Sequence, residues 1–329
     1  MARADLLKKL FSSFKQDDKE MFYTVATEII EDEKKKNHGI LADDLKLILN
    51  GNYQTKKTNM LSSGTPKDKD RDMSLVEIMY PEKYFSDLIV SDEKIAQLEQ
   101  IIKEFNNWDV LVSNGVFPIR RALFYGPPGC GKTLAAQTLA GEIGIPMMYV
   151  RFDALISSYL GETASNIRKI FDYAKNDSWL IFFDEFDAIG RSRNDSTEHG
   201  EIKRVVNAFL QQIDNFKGRS LIIAATNFEQ SLDYAIWRRF DETIRFDMPS
   251  NEEKIKLFNL KMNRFKGPAH VFEQYLNELE AFSHSDIEKV CQIIMKRCIL
   301  EGKNIYTKND IEYAVEKQKK NVSLRKTQY

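Results

Sequence analysis

The stretch Gly126-Pro127-Pro128-Gly129-Cys130-Gly131-Lys132-Thr133 decides how this chain is read. It follows the apolar run Ala122-Leu-Phe-Tyr125 and precedes a helix-forming segment from Leu134 to Gly141. The spacing is G-x-x-x-x-G-K-[ST]. Glycines in this pattern let successive backbone N–H groups curl round a phosphate, and the helix start adds its positive end. Lys132 is placed to reach β- and γ-phosphates, and the Thr133 hydroxyl to ligate Mg²⁺. Leu134 opens the helix beside them. Inside the loop, the Cys130 backbone counts for more than its sulfur.

A second run, Leu180-Ile-Phe-Phe-Asp184-Glu185, has four apolar residues and then two acids. It reads as a buried strand with both acids at its C-terminal end. There Asp184 would hold the Mg²⁺ site and Glu185 would orient and polarise an attacking water. The interval from Lys132 leaves room for a helix, a strand and another helix. Leu221-Ile-Ile-Ala-Ala-Thr-Asn227 repeats the design with a single polar residue at the end. On a parallel sheet such strand ends align at the ligand-binding edge. Asn227 is thus placed near a γ-phosphate and its water, although Asn at a strand end also serves simply as a turn residue. Met147 to Val150 supplies a further strand. Strands alternating with amphipathic helical stretches predict an α/β fold, a parallel sheet covered by helices on both faces. Beyond Pro249 the strands stop. Ile287, Val290, Cys291, Ile294 and Cys298 share one helix face, and another helix runs from about Asp310, so a small helical lid closes the chain.

Upstream, residues 1–51 read as helices. Leu6, Leu7, Leu10, Phe11 and Phe14 mark one helical face, Phe22, Val25 and Ile29 a second, and Leu41, Leu45 and Ile48 a third that Gly51 terminates. This predicts a helical N-terminal domain that either recruits a partner or merely pads the larger domain. Residues 52–74 are polar, Lys-rich and nearly free of large apolar side chains, which predicts a flexible linker. The expected division is therefore 1–51, 52–74, 75–249 for the nucleotide-binding α/β domain and 250–329 for the lid.

Composition limits the function. Lys and Arg number 48 against 49 Asp and Glu, so the net charge is −1. That argues against a protein basic throughout that coats nucleic acid or anionic membrane. Three cysteines without C-x-x-C argue against a disulfide framework or zinc ribbon and for a reducing compartment, taken as the cytoplasm. No apolar run approaches the ~20 residues of a membrane span. No H-E-x-x-H, G-x-S-x-G or Cys–His spacing suggests a peptidase.

From about Phe85 to the C-terminus the chain resembles the AAA family, the ATPases associated with diverse cellular activities. The matching motifs, in order, are Gly126 to Thr133 (Walker A), Phe182 to Glu185 (Walker B), Thr226-Asn227 (sensor 1) and the pair in Trp237-Arg238-Arg239-Phe240-Asp241. Taken alone, two adjacent arginines read as a solvated face. The resemblance implies instead a homo-oligomeric ring, commonly a hexamer, with ATP and Mg²⁺ at each interface and Arg238 and Arg239 as fingers on the neighbour's γ-phosphate. It also makes Tyr159 and Leu160, in Ser158-Tyr-Leu-Gly-Glu162, resemble a pore loop that grips a polypeptide. The plainer reading of Tyr159 is an ordinary core or surface aromatic.

Some positions depart from the family pattern. The two arginines are adjacent, as in the branch that disassembles membrane-remodelling filaments or severs microtubules, yet Tyr159 stands where that branch usually has Trp. Ile89 and Val90 would line the adenine pocket without the usual glycine. His284 replaces a glycine near the adenine or ribose, and either contacts nucleotide or faces solvent. The resemblance implies an ATP-driven machine that remodels, unfolds or disassembles proteins, with an adaptor or substrate at the N-terminal domain and a separate peptidase where proteolysis follows. A DNA-associated AAA ATPase of the transposition or replication type and a nucleotide-dependent scaffold or switch stand as rivals. The near-zero charge and the pore triplet weigh against the first, and Glu185 against the second.

Overall fold

The computed structural model describes residues 4–15, 18–35, 42, 45, 49, 65–67, 74–151, 160–175, 177–186, 199–232 and 234–326. Two helices, α1 (Ala4–Lys15) and α2 (Lys19–Lys35), pack on each other. Of the expected face on α2, Val25 and Ile29 are buried and Phe22 is half-buried, and Ile30 is buried beside them. On α1 the expected single face divides. Leu6 and Leu10 are half-buried, whereas Leu7, Phe11 and Phe14 are 40%, 71% and 75% exposed. An apolar stripe wider than one partner helix can cover leaves its outer edge in water. Of the expected third helix, Leu41, Ile48 and Gly51 lie outside the described residues. So do residues 52–64 and 68–73 of the expected linker. Inside that linker, Pro66 is buried and Lys67 pairs with Ser74 in an antiparallel bridge.

The sheet has six strands: β1 (Glu77–Met79), β2 (Arg121–Tyr125), β3 (Met147–Arg151), β4 (Leu180–Asp184), β5 (Leu221–Thr226) and β6 (Glu242–Arg245). Their order is β1-β3-β4-β5-β2-β6. All neighbours are parallel except β1, which runs antiparallel on β3. The four expected strands all form. β1 and β6 are additions at the two edges. The α/β expectation therefore holds, with one antiparallel edge strand on the parallel sheet.

Side chains alternate between faces along each strand. Leu123, Val150, Ile181, Phe183, Ile222 and Ala224 enter one core, with the helices α5 (Leu160–Ala174) and α6 (His199–Asn215). Ala122, Phe124, Met147, Phe182, Ile223 and Ala225 enter the other, with α3 (Asp92–Asn106) and α4 (Lys132–Ile143). A strand buried on both faces must be apolar throughout, which is why β4 and β5 are continuous hydrophobic runs. A third core holds the lid helices α7 (Asn251–Met262), α8 (His284–Leu300) and α9 (Lys308–Lys326). Ile287, Val290, Cys291, Ile294 and Cys298 of α8 are all buried there. Ser250 and Ser283 begin α7 and α8 with reciprocal capping boxes that satisfy free N–H groups at each start.

Candidate functional site

The loop from Gly126 to Gly131 joins β2 to α4 at the C-terminal edge of the sheet. Its shape requires glycine at two contacts. Gly126 has φ +126°, and a Cβ there would lie 2.2 Å from the Phe246 carbonyl oxygen. Gly129 has φ +76°, and a Cβ there would lie 2.7 Å from Ser283 Oγ of the lid. The loop is thus held between β6 and the lid. The Lys132 ammonium donates to the carbonyls of Gly126 (2.7 Å) and Pro127 (2.9 Å) and is 7% exposed. Burial, with Lys132 opposing, pushes the Cys130 thiol up to about 11, so it stays protonated beside Met248.

Asp184 ends β4 opposite the start of α4. The Thr133 hydroxyl donates to its Oδ2 (3.4 Å), the Tyr149 hydroxyl to the same oxygen (2.8 Å) and the Glu185 N–H to its Oδ1 (2.9 Å). A hydroxyl and a carboxylate are hard oxygen donors, the set that Mg²⁺ takes. Glu185 is exposed and has φ +53°, the one positive φ outside glycine among the described residues. Phe186, fully buried, donates its N–H to the Ala225 carbonyl (2.9 Å). Pinned by Asp184 on one side and Phe186 on the other, the chain turns through the left-handed region and directs Glu185 outward. Strain of this kind clusters at functional sites.

Asn227 follows β5 directly. Because β5 lies between β4 and β2, Asn227 stands between the acids and the glycine loop. It is exposed, and the neighbouring Thr226 hydroxyl accepts the Phe228 N–H (3.0 Å). The arginine pair separates. Arg239 donates Nε to Asp214 (3.1 Å) and Nη1 to the Ala235 carbonyl (2.7 Å). Asp214 also lies 3.6 Å from Arg121, which clasps Asp241. Arg238 is exposed, over the Tyr234 ring at 5.7 Å, and no described carboxylate pairs with it.

The lid meets the loop through Ser285, whose N–H donates to the Gly129 carbonyl (3.0 Å). The adjacent His284 is first on α8. Both its ring nitrogens are buried without a hydrogen-bond partner among the described residues, although the Ile89 backbone lies close. Burial lowers its pKa. Ile89 packs on the lid core and Val90 on the sheet core. Together they carry the chain across the seam, and buried Leu88 beside them lies under Gly131. Tyr159 lies outside the described residues. Leu160 begins α5, and its side chain is not described. Sequence reasoning passed over Tyr149 and Asp214. Tyr149 reads as an ordinary aromatic strand residue and Asp214 as a helix-surface acid. Their roles depend on neighbours distant in the chain.

The profile of the family described as "ATPase family associated with various cellular activities (AAA)" matches residues 122–248. An uncharacterized AAA family ATPase of Sinorhizobium fredii is 41% identical over 319 residues, covering 96% of this chain and 95% of that protein. The proteasome-activating nucleotidase of Saccharolobus solfataricus is 32% identical over 262 residues, covering 77% of this chain and 67% of that protein.

Proposed function

Because this chain belongs to the AAA family and is an ATPase, we propose that it couples ATP hydrolysis to remodelling of polypeptides in a closed ring, commonly a hexamer. The observation that carries the reading is the arrangement on one sheet edge. Lys132, Thr133, Asp184 and Glu185 converge there with Asn227 beside them, while Arg238 is exposed and pairs with no carboxylate among the described residues. The similarity to a proteasome-activating nucleotidase supports a polypeptide as substrate.

In this reading the loop from Gly126 to Thr133, with Leu134 behind it, wraps the phosphates, and Lys132 exchanges its carbonyl partners for phosphate oxygens. Thr133 and Asp184 would hold Mg²⁺, which when bound neutralises charge on the β- and γ-phosphates. Glu185 orients water and takes its proton. Asn227 fixes the γ-phosphate or that water. Ile89, Val90 and His284 border the base and ribose at the lid seam. Arg238 reaches the neighbouring subunit's γ-phosphate, and Arg239 holds the helix that presents it.

Tyr159 and Leu160 are proposed to grip the polypeptide, and residues 1–51 to recruit it or an adaptor. The exposed stripe Leu7, Phe11 and Phe14 supports the second role. Residues 52–74 link this unit to the α/β domain at 75–249 and the lid at 250–329. No described helix is long and apolar enough to cross a membrane. The free thiols Cys130, Cys291 and Cys298 support a reducing, cytoplasmic setting.

Glu185→Gln tests the reading. It should retain ATP binding, lose ~10²–10⁴ in turnover, and retain polypeptide in a pull-down with ATP but not with ADP. Turnover within about tenfold of the parent, well short of that range, would remove Glu185 from the mechanism. Stimulation of the parent enzyme by DNA rather than by unfolded protein would overturn the polypeptide substrate.

A further inference from the structure

The Asp184 carboxylate is held by a residue that no phosphate-binding motif contains. Tyr149 lies on β3 and faces Phe182 on β4 in the parallel register. Strand side chains repeat every two residues, so Phe182 and Asp184 share one sheet face. The Tyr149 ring packs 5.7 Å from the Phe182 ring, tilted by 37°, and its hydroxyl extends past that ring to Asp184 Oδ2 at 2.8 Å. Only a side chain as long as a phenol spans this diagonal. A Ser or Thr at 149 would stop short, and a Phe would arrive without a donor.

Tyr149 completes a set of three donors. Thr133 approaches the same oxygen from α4, and the Glu185 N–H holds the other oxygen. A carboxylate offers about four acceptor directions, so the donors among the described residues, three in number, fix its rotation and leave about one direction that they do not fill. That direction is where Asp184 has to meet a cation or its water. We propose that Tyr149 is a positioning residue for the cation site, setting the orientation of Asp184 through a charge-assisted hydrogen bond. The inference rests on the reading that Thr133 and Asp184 hold the metal.

Tyr149→Phe removes one oxygen and keeps the ring on Phe182. Two measurements on the full chain separate metal positioning from packing. The first is Mn²⁺ binding to the ADP complex by electron paramagnetic resonance. The second is ADP affinity by calorimetry in EDTA. Loss of a partner that orients a ligand typically weakens metal binding 10- to 100-fold, so the half-saturating Mn²⁺ concentration should rise by about tenfold or more. ADP affinity in EDTA should stay at the parent value. Unchanged Mn²⁺ binding, or an equal loss in both measurements, would overturn the role of Tyr149. A parent ADP complex that takes up no Mn²⁺ would overturn the metal reading of Thr133 and Asp184 as well.

Discussion

The arginine pair yields a sharp test, because its two members sit in different surroundings. Truncating Arg238 to Ala removes an exposed guanidinium whose recorded contact is the Tyr234 ring at 5.7 Å. Such a contact at an exposed site is worth ~0.5–1 kcal/mol. Truncating Arg239 removes the Asp214 pair and the hydrogen bond to the Ala235 carbonyl. The ion pair is partly exposed, 29% and 43% on its two side chains, so it belongs at the ~0.2–1 kcal/mol of surface pairs. The charged hydrogen bond contributes about 1.5–3 kcal/mol more, which raises the loss to about 2–4 kcal/mol. At ~2–4 °C per kcal/mol for a domain of this size, Arg239→Ala should lower Tm by several degrees and Arg238→Ala by few or none. Turnover should run the other way. An arginine finger contributes ~10³–10⁵ in rate, or ~4–7 kcal/mol in the transition state, so Arg238→Ala should be nearly inactive while fully folded. The assay is steady-state ATPase beside a thermal melt. Mixing Arg238→Ala with Glu185→Gln subunits adds the trans criterion. In a random ring, about a quarter of the interfaces join an intact Glu185 to an intact Arg238, so the mixture should recover activity that neither variant has alone. An active Arg238→Ala protein, or one destabilised as much as Arg239→Ala, would refute the division of roles.

Other outcomes follow from single contacts. Gly126→Ala places a Cβ 2.2 Å from the Phe246 carbonyl at φ +126°, so it should cost more than ~1 kcal/mol in a melt and abolish ADP binding by calorimetry. Normal ADP affinity would refute the close-packed loop. Burial lowers the His284 pKa from 6.5, opposed by Glu253 and reinforced by Lys94 and Lys254. The unfolded chain therefore takes up its proton first as pH falls. The associated stability is complete above about 6.5 and is lost as pH drops through the lower folded value. Between about pH 7.5 and 5.5 the parent should lose more Tm than His284→Gln, and parallel curves would show that the imidazole is not held in its neutral form.

Much of the site was legible in local sequence because its parts are contiguous. A turn that requires positive φ needs glycine, and a lysine and hydroxyl at a helix start follow at fixed spacing, so Gly126 to Thr133 identifies itself. β4 and β5 are buried on both faces and must be apolar throughout, which leaves the terminal acids and Asn227 conspicuous. The lid helix α8 shows its core face because five apolar residues fall at helical spacing. Strands β1 and β6 escaped for the complementary reason. At the sheet edge β6 buries only Ile244 of its four residues, and β1 has three residues in all, so neither carries a periodic signal.

What only the tertiary structure decided is which side chains meet across the fold. Nothing local to Arg238 or Arg239 tells them apart. The distinction comes from Asp214, at the end of a helix well before them, whose carboxylate engages one guanidinium and leaves the other exposed. Nor does β3 announce that Tyr149 will reach Asp184, since that contact depends on the parallel register setting Tyr149 opposite Phe182. The lid's contact with Gly129 through Ser283 and Ser285 likewise joins segments separated by most of the α/β domain. Periodicity and backbone conformation are properties of neighbours along the chain, so sequence determined the buried strands, the lid helix and the phosphate loop. Hydrogen bonds between remote side chains depend on strand order and register, and these are set only when the whole sheet closes.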